Sequence, residues 1–301
     1  MGSDVAVVMA RGGSRVTLVD SDNARSIAAV KRVRILLPPD RAAVAELHAV
    51  LTLGDVSWAD VDLVVENVPE QLAFKQKVFA DLDRLAPPGA LLTSNSSGIP
   101  IREIGAGLAG ARRMFGLHFF MPAHLVPLVE VVMGPSSGAQ AAEDLLAWMR
   151  ACGSVPVLVR KDLPGFLANR LQHALAREAF AMIDDGVASP EDVDAAVRFG
   201  FGFRFLAAGP VLQRDHGGLD IHCAAAATIY PSLSNATVPA KTLREHVAAG
   251  HFGLKAGRGF FDWPEARRKA ESERYAGILR RGLELLANDL PDQPAKAAHK
   301  R

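Results

Sequence analysis

The chain has 301 residues, 49% of them hydrophobic and 22% charged, with a formal net charge of +1. That length supports two domains with their own cores, and the near-neutral balance gives no electrostatic reason to expect nucleic acid or an anionic membrane as partner. No apolar run approaches the roughly 20 residues of a spanning helix, no signal peptide is evident, and the two cysteines, Cys152 and Cys223, form no metal or redox motif, which suits a reducing, cytoplasmic setting.

In chain order, Gly2–Arg11 reads as a helix ended by Gly12–Gly13, and Arg15–Val19 as a strand closed by Asp20. Ser21–Leu37 is helical and stops at Pro38–Pro39. Asp62–Glu66 is a strand, and Pro69 opens a helix that runs to Leu85. Short apolar runs at Ala90–Thr93, Met114–His118 and around Glu130 read as buried strands of a parallel sheet. A helix over Ala139–Ala151 and a strand over Val155–Val159 follow. This alternation predicts an α/β fold, a doubly wound parallel sheet of Rossmann type, over residues 1–161. Beyond Lys161–Gly165 the pattern turns helical, over Phe166–Asp185, Pro190–Arg198, Gly218–Ile229 and Lys241–Ala249, so an all-α domain is expected over 162–287. Leu167, Leu171, Leu175 and Phe180 fall roughly at helical spacing and read as core or subunit interface. The polar stretch 288–301 reads as a disordered tail.

Three of the apolar runs carry polar groups of the kind that handle a hydroxyl-bearing substrate: Ser97 just past Leu91–Leu92, His118 at the end of Met114–Leu117, and Glu130 within Leu128–Val132. Ligands of open α/β sheets sit at the carboxyl ends of strands, where these three would converge. A plain reading stands beside this one: an ordinary serine loop, a core histidine and its structural carboxylate partner. His124 has no partner at metal-ligand spacing and reads as structural, so no metal site is expected.

The chain's opening departs from the dinucleotide pattern of strand, G-x-G-x-x-G turn and helix. Here the helix comes first. Gly2 matches the last glycine of that fingerprint, and Asp20 the acid expected roughly 20 residues on, where it accepts from a ribose 2′-hydroxyl and repels a 2′-phosphate. NAD is therefore expected rather than NADP. The missing strand would be central, so its two neighbours are expected to lack a backbone partner. An upstream translation start is the favoured explanation, and a damaged, non-binding relative is the alternative. Asp4 stands in the helix's first turn, near the expected pyrophosphate.

With V-V-E-N-V-P-E, S-N-S-S-G-I-P-I, G-L-H-F-F-M-P, L-V-E-V-V, D-L-P-G-F-L-A-N-R and H-F-G-L-K-A-G-R-G-F-F in order after Gly2 and Asp20, the chain resembles the 3-hydroxyacyl-CoA dehydrogenase family. The resemblance implies an N-terminal NAD domain, a helical C-terminal domain that forms a homodimer, and catalysis in the cleft between them. By position it implies His118 as catalytic base and Glu130 as its carboxylate partner. Ser97 and Asn169 would hold the substrate oxygens, Asn95 would lie near the nicotinamide, and Glu70 and Lys75 would contact the cofactor's ribose and phosphates. Such a base takes a hydroxyl proton while a hydride leaves the same carbon.

Three departures bear on the substrate, which would be a hydroxyacyl-CoA or a small hydroxy acid. Met121 stands where the family usually has Asn. The turn G-F-G-F-R-F-L-A-A-G-P is longer than the family's and carries Arg204, a candidate clamp for a substrate carboxylate. The segment between Asp20 and Asp62 is short for a CoA-binding hairpin. These features are more similar to branches acting on free acids, the gulonate dehydrogenase (lambda-crystallin) and pyridine-carboxylate dehydrogenase branches. A non-catalytic homodimeric relative is the competing functional class.

Overall fold

The computed structural model describes residues 1–291. The chain divides into two compact units, Met1–Arg170 with the stretch from Ala287, and Leu171–Leu286.

The first unit runs α1 (Gly2–Arg11), β1 (Val16–Val19), α2 (Asn23–Leu36), α3 (Pro39–Val44), β2 (Leu47–Val50), β3 (Leu63–Glu66), α4 (Leu72–Leu85), β4 (Leu91–Ser94), α5 (Ile101–Ile104), β5 (Met114–Phe119), β6 (Leu128–Met133), α6 (Ala139–Ala151), β7 (Val155–Val159) and the start of α7 (Ala168–Asp184). The sequence reading leaves α3, β2 and α5 unassigned. Pro38 and Pro39 end one helix and open the next, and the four-residue β2 is too short to show a period.

The strands form two ladders. β1 and β2 pair in parallel, and β3-β4-β5-β6-β7 make a five-stranded sheet. β1 and β3 share no ladder, and among the described residues each pairs along one edge only. The expectation of an all-parallel sheet needs correction. β5 and β6 pair antiparallel and β6 and β7 parallel, so the last two strands run against β3–β5. The connection 120–127 is shorter than the roughly dozen residues that a parallel crossover requires, so the chain must return alongside β5.

α1 ties the two ladders together. Its Val5, Val8 and Met9 pack with Phe115, Leu117, Leu145 and Met149 from the five-stranded sheet and α6. Its Ala6, Val7 and Ala10 pack with Val33 and Leu37 against β1 and β2. The opposite face of the large sheet is covered by α4 and α5, through Phe79, Leu82, Ile101 and Ile104 around Leu92 and Met114. At the end of α1, Gly12 allows a close approach: a Cβ there would stand 2.3 Å from the buried Cys152 Sγ.

The second unit continues α7 and adds α8 (Pro190–Ala196), α9 (Gly202–Arg204), α10 (Pro210–Gly217), α11 (Leu219–Ile229), α12 (Lys241–Ala248) and α13 (Glu265–Leu285). α9, α10 and α13 are absent from the sequence reading; α13 is strongly charged and carries Gly277 and Gly282 in its interior, which mask its period. Side-chain caps mark the heads of α8 and α12. Ser189 accepts from Asp192 N at the head of α8, and Asp184 accepts from Lys241 N and Thr242 N at the head of α12. Phe180 stacks on Phe260 at 5.6 Å. No residue of this unit is buried. Leu171, Leu175 and Met182 form an exposed stripe along α7, and Phe199, Phe203 and Val211 are exposed beyond it. The part of the expected tail beyond Pro291 lies outside the described residues. No helix among the described residues is long and apolar enough to cross a membrane.

Val8 is fully buried at the junction of α1 with the large sheet. Val8→Ala should lower the urea-unfolding free energy by about 2 kcal/mol. Gly12→Ala should also destabilise, through the clash with Cys152 rather than through backbone conformation.

Candidate active site

The antiparallel register sets His118 directly opposite Glu130. Their side chains lie on one face of the sheet, and His118 Nδ1 meets Glu130 Oε2 at 2.7 Å. Both are buried, Glu130 completely. The other carboxylate oxygen, Oε1, accepts from the backbone amides of Leu167 at 3.0 Å and Ala168 at 2.7 Å. Glu130 therefore caps the head of α7 as well as the imidazole. A carboxylate can only accept, so Nδ1 carries the hydrogen and Nε2 is left as the basic nitrogen. The rings of Phe120 and Phe166 meet the imidazole edge-on, at centroid distances of 4.5 and 5.6 Å. Phe166 takes a left-handed backbone, φ 50°, directly after Gly165 at φ 76°. This double left-handed turn brings the Leu167 and Ala168 amides onto Glu130.

Asn169, in the first turn of α7, donates from Nδ2 to the backbone oxygen of Ser97 at 3.4 Å. Two of the residues expected to hold substrate oxygens are thus neighbours, and the Ser97 hydroxyl is exposed and makes no hydrogen bond among the described residues. Asn95 is pinned from both ends: Oδ1 accepts from Phe119 N at 2.7 Å and Nδ2 donates to Asn67 Oδ1 at 2.9 Å.

The loop that carries Ser97 rests on an ionic network that runs from the exposed Glu70 to the buried Lys75 and Glu66. Glu70 Oε1 accepts from the Ser96 hydroxyl at 2.5 Å and from the amides of Ser97, Gly98 and Ile99 at 3.1, 3.0 and 3.3 Å. Lys75 is 1% exposed. Its Nζ donates to both oxygens of Glu66, at 2.9 and 3.0 Å, and to the carbonyl of Val68 at 3.3 Å, and it stands 3.3 Å from Glu70 Oε2. Ser94 donates to Glu66 Oε2 at 2.6 Å. The resemblance places Glu70 and Lys75 on the cofactor. Here the Lys75 ammonium is committed to protein oxygens, and Glu70 holds the serine loop. Sequence reasoning passed over Glu66, Ser94 and Ser96. The signals for them were E-N-V-P-E and S-N-S-S-G, each at a strand end, and burial of Lys75 is not visible in a helix pattern.

Cofactor positions lie at the carboxyl ends of the strands. Asp20 follows β1, with Oδ1 accepting from Asp22 N at 2.9 Å and from Arg25 at 3.0 Å, while Oδ2 has no hydrogen bond among the described residues. The Asp22 amide foremost, with Arg25, holds the Asp20 carboxyl below the usual aspartate range. α1 begins at Gly2 with no side-chain cap, leaving its first amides free. Free helix-head amides and an acid at the end of the next strand are the donor and acceptor set that a dinucleotide's pyrophosphate and ribose require. Arg204 is exposed at the end of α9, in the second unit, and its side chain makes no hydrogen bond or ion pair among the described residues. Met121 is 69% exposed.

Lys75→Met should destabilise the protein by about 3–5 kcal/mol in urea unfolding, because it strands the buried Glu66 charge. Glu70 has a depressed pKa: burial works to raise it, but the Ser96 hydroxyl, the Gly98 amide and Lys75 outweigh burial. Stability from a depressed carboxylate is present above its ordinary value, 4.5 for this group, and is lost as pH falls through the folded value. Hydrogen exchange at the Ser97–Ile99 amides, corrected for intrinsic rates, should therefore lose protection on acidification below that ordinary value and not between pH 6 and 8.

Comparison with known proteins agrees with this geometry. Residues 1–163 match the 3-hydroxyacyl-CoA dehydrogenase NAD binding domain, and residues 165–263 match the C-terminal domain of the same family. The chain is 34% identical over 291 residues to the 5-formyl-3-hydroxy-2-methylpyridine 4-carboxylate 5-dehydrogenase of Mesorhizobium japonicum, covering 93% of each chain. It is 32% identical over 275 residues to a probable 3-hydroxybutyryl-CoA dehydrogenase of Bacillus subtilis, covering 88% of this chain and 94% of the relative. A solved 5-formyl-3-hydroxy-2-methylpyridine 4-carboxylic acid 5-dehydrogenase, an NAD+-dependent dismutase, superposes with a TM-score of 0.85 at 33% identity, over 94% of this chain and 95% of that one. The (S)-3-hydroxybutyryl-CoA dehydrogenase of Ralstonia eutropha superposes with a TM-score of 0.71 at 29% identity, over 88% and 96%. With both domain models matched in order across the chain, this protein belongs to the 3-hydroxyacyl-CoA dehydrogenase family of NAD-dependent oxidoreductases.

Proposed function

We propose that the protein oxidises the hydroxyl of a small hydroxy acid, or the hydrated form of an aldehyde acid, with His118 as the base. The observation that carries this reading is the 2.7 Å contact between His118 Nδ1 and the fully buried Glu130. It fixes the tautomer in which Nε2 faces the reacting group as acceptor, and it stabilises the imidazolium that forms when Nε2 takes the hydroxyl proton. The Ser97 hydroxyl and Asn169 are the donors for the oxygen that bears developing charge. Bound NAD supplies the hydride acceptor. Phe120 and Phe166 keep bulk water from the imidazole edges. Asp20 is the ribose ligand, the Gly2 end of α1 the pyrophosphate ligand, and Asn95, held by Asn67 and Phe119, the residue beside the nicotinamide.

A free acid is favoured over an acyl-CoA thioester. The relative from Mesorhizobium japonicum acts on a pyridine carboxylate, and its solved counterpart superposes at 0.85 against 0.71 for the solved 3-hydroxybutyryl-CoA enzyme. The stretch between β1 and β3 contains α2, α3, β2 and two single-turn 3-10 helices, Leu53–Asp55 and Trp58–Asp60. Arg204 is the candidate carboxylate clamp.

A second copy of the chain covers the helical unit. A folded unit with no buried residue, and with Leu171, Leu175, Phe199 and Phe203 exposed, has no apolar core of its own to offset the entropy of ordering it. An isologous homodimer supplies the missing cover.

An NAD-reduction assay with small hydroxy acids, aldehyde acids and hydroxyacyl-CoAs tests the substrate class. Activity confined to the thioesters would refute the free-acid reading. His118→Ala should lower kcat by at least about 10²-fold, and near-normal turnover would reject the base. Light scattering should return twice the chain mass; a monomer at micromolar concentration would overturn the dimer.

A further inference from the structure

Asp4 is an acidic residue in the first turn of α1, 6% exposed, at the helix end read above as the pyrophosphate ligand. An uncompensated carboxylate there would oppose a dinucleotide's phosphates. It is compensated twice. From α2, Arg32 donates through Nε at 3.1 Å and Nη2 at 2.8 Å to Asp4 Oδ1. From the β5–β6 connection, His124 Nδ1 stands 3.2 Å from Asp4 Oδ2, at ion-pair distance but without the alignment of a hydrogen bond. His124 is 12% exposed, and its connection leads directly from the His118 strand to the Glu130 strand.

We propose that Asp4, Arg32 and His124 form a charge clamp, in which the Arg32 guanidinium, with the His124 ring on the other carboxylate oxygen, balances a carboxylate lodged at the head of α1 so that this helix end retains a net attraction for the cofactor's pyrophosphate. The clamp adds an ionic link between elements that already pack together, the head of α1, α2 and the connection between β5 and β6. Arg32 acts here as a positioning and charge-balancing residue, not as a direct phosphate ligand. Burial works against the Asp4 charge, yet Arg32 first and His124 second hold its carboxyl below the usual range, so the acid keeps its charge and needs the balance. This inference rests on the reading of the α1 head as the pyrophosphate ligand.

A charge-balance cycle tests it, using NADH fluorescence titration of the full chain. Arg32→Met leaves Asp4 under-neutralised and should weaken NADH binding about tenfold. Asp4→Asn removes the charge to be balanced and should bind NADH at least as tightly as the unaltered protein. The double variant, Asp4→Asn with Arg32→Met, should return to within about twofold of it. A merely structural role for Arg32 would leave the double variant as weak as Arg32→Met, and that result overturns the clamp, as does an unchanged Kd in Arg32→Met. If Arg32→Met does not fold, Arg32→Lys keeps the charge and should hold the Kd within about twofold; a tenfold loss there overturns the clamp. An unaltered protein that binds no NADH overturns the pyrophosphate reading and the clamp with it, whereas normal binding with no difference among the variants overturns the clamp alone.

Discussion

The structure depends on satisfying one carboxylate that has no access to water. Glu130 is completely buried, and a buried charge is tolerated only when its acceptors are filled. Three donors fill them: the His118 imidazole on one oxygen, and the Leu167 and Ala168 amides on the other. None of the three is adjacent to Glu130 in sequence. The first is delivered by strand register and the others by the left-handed turn at Gly165 and Phe166. One desolvated group thereby places a basic nitrogen, starts a helix, and sets Asn169 one residue beyond its second amide.

A second network does the same for the facing loop. Glu66, Lys75 and Glu70 form an ionic chain beneath residues 94–99, buried at Glu66 and Lys75 and open to solvent at Glu70. Its buried pair is strong only while complete. Its effect is to hold the Ser97 loop by its backbone and leave the Ser97 hydroxyl free. The contact between Asn169 Nδ2 and the Ser97 carbonyl then links the two networks. The candidate side chains are held from behind by these networks, and such support is how a fold keeps reacting groups within the narrow tolerance that proton transfer requires.

The two units contrast in how they are sustained. The first has apolar cores on both faces of its larger sheet and a helix, α1, buried from Asp4 to Ala10 between two ladders. The second has local caps and ring contacts but no buried residue. Caps and stacked rings define conformation. They contribute too little to offset chain entropy without apolar burial.

Periodicity and turn residues in the sequence were enough to locate most elements of the first unit, with Ala139–Ala151 and Val155–Val159 bounded to the residue, because amphipathic pattern and proline or glycine stops are local properties. The ends of the apolar runs also singled out His118, Glu130 and Ser97 as candidates, and the family resemblance added Asn169. Three things were decided only in three dimensions. The direction of β6 follows from how far the 120–127 connection can reach. The burial of Lys75 follows from what α4 packs against. The neutralisation of Asp4 follows from α2 and the β5–β6 connection arriving at one point. Each depends on contacts between residues far apart along the chain, and no local pattern records which distant group will fill a buried charge.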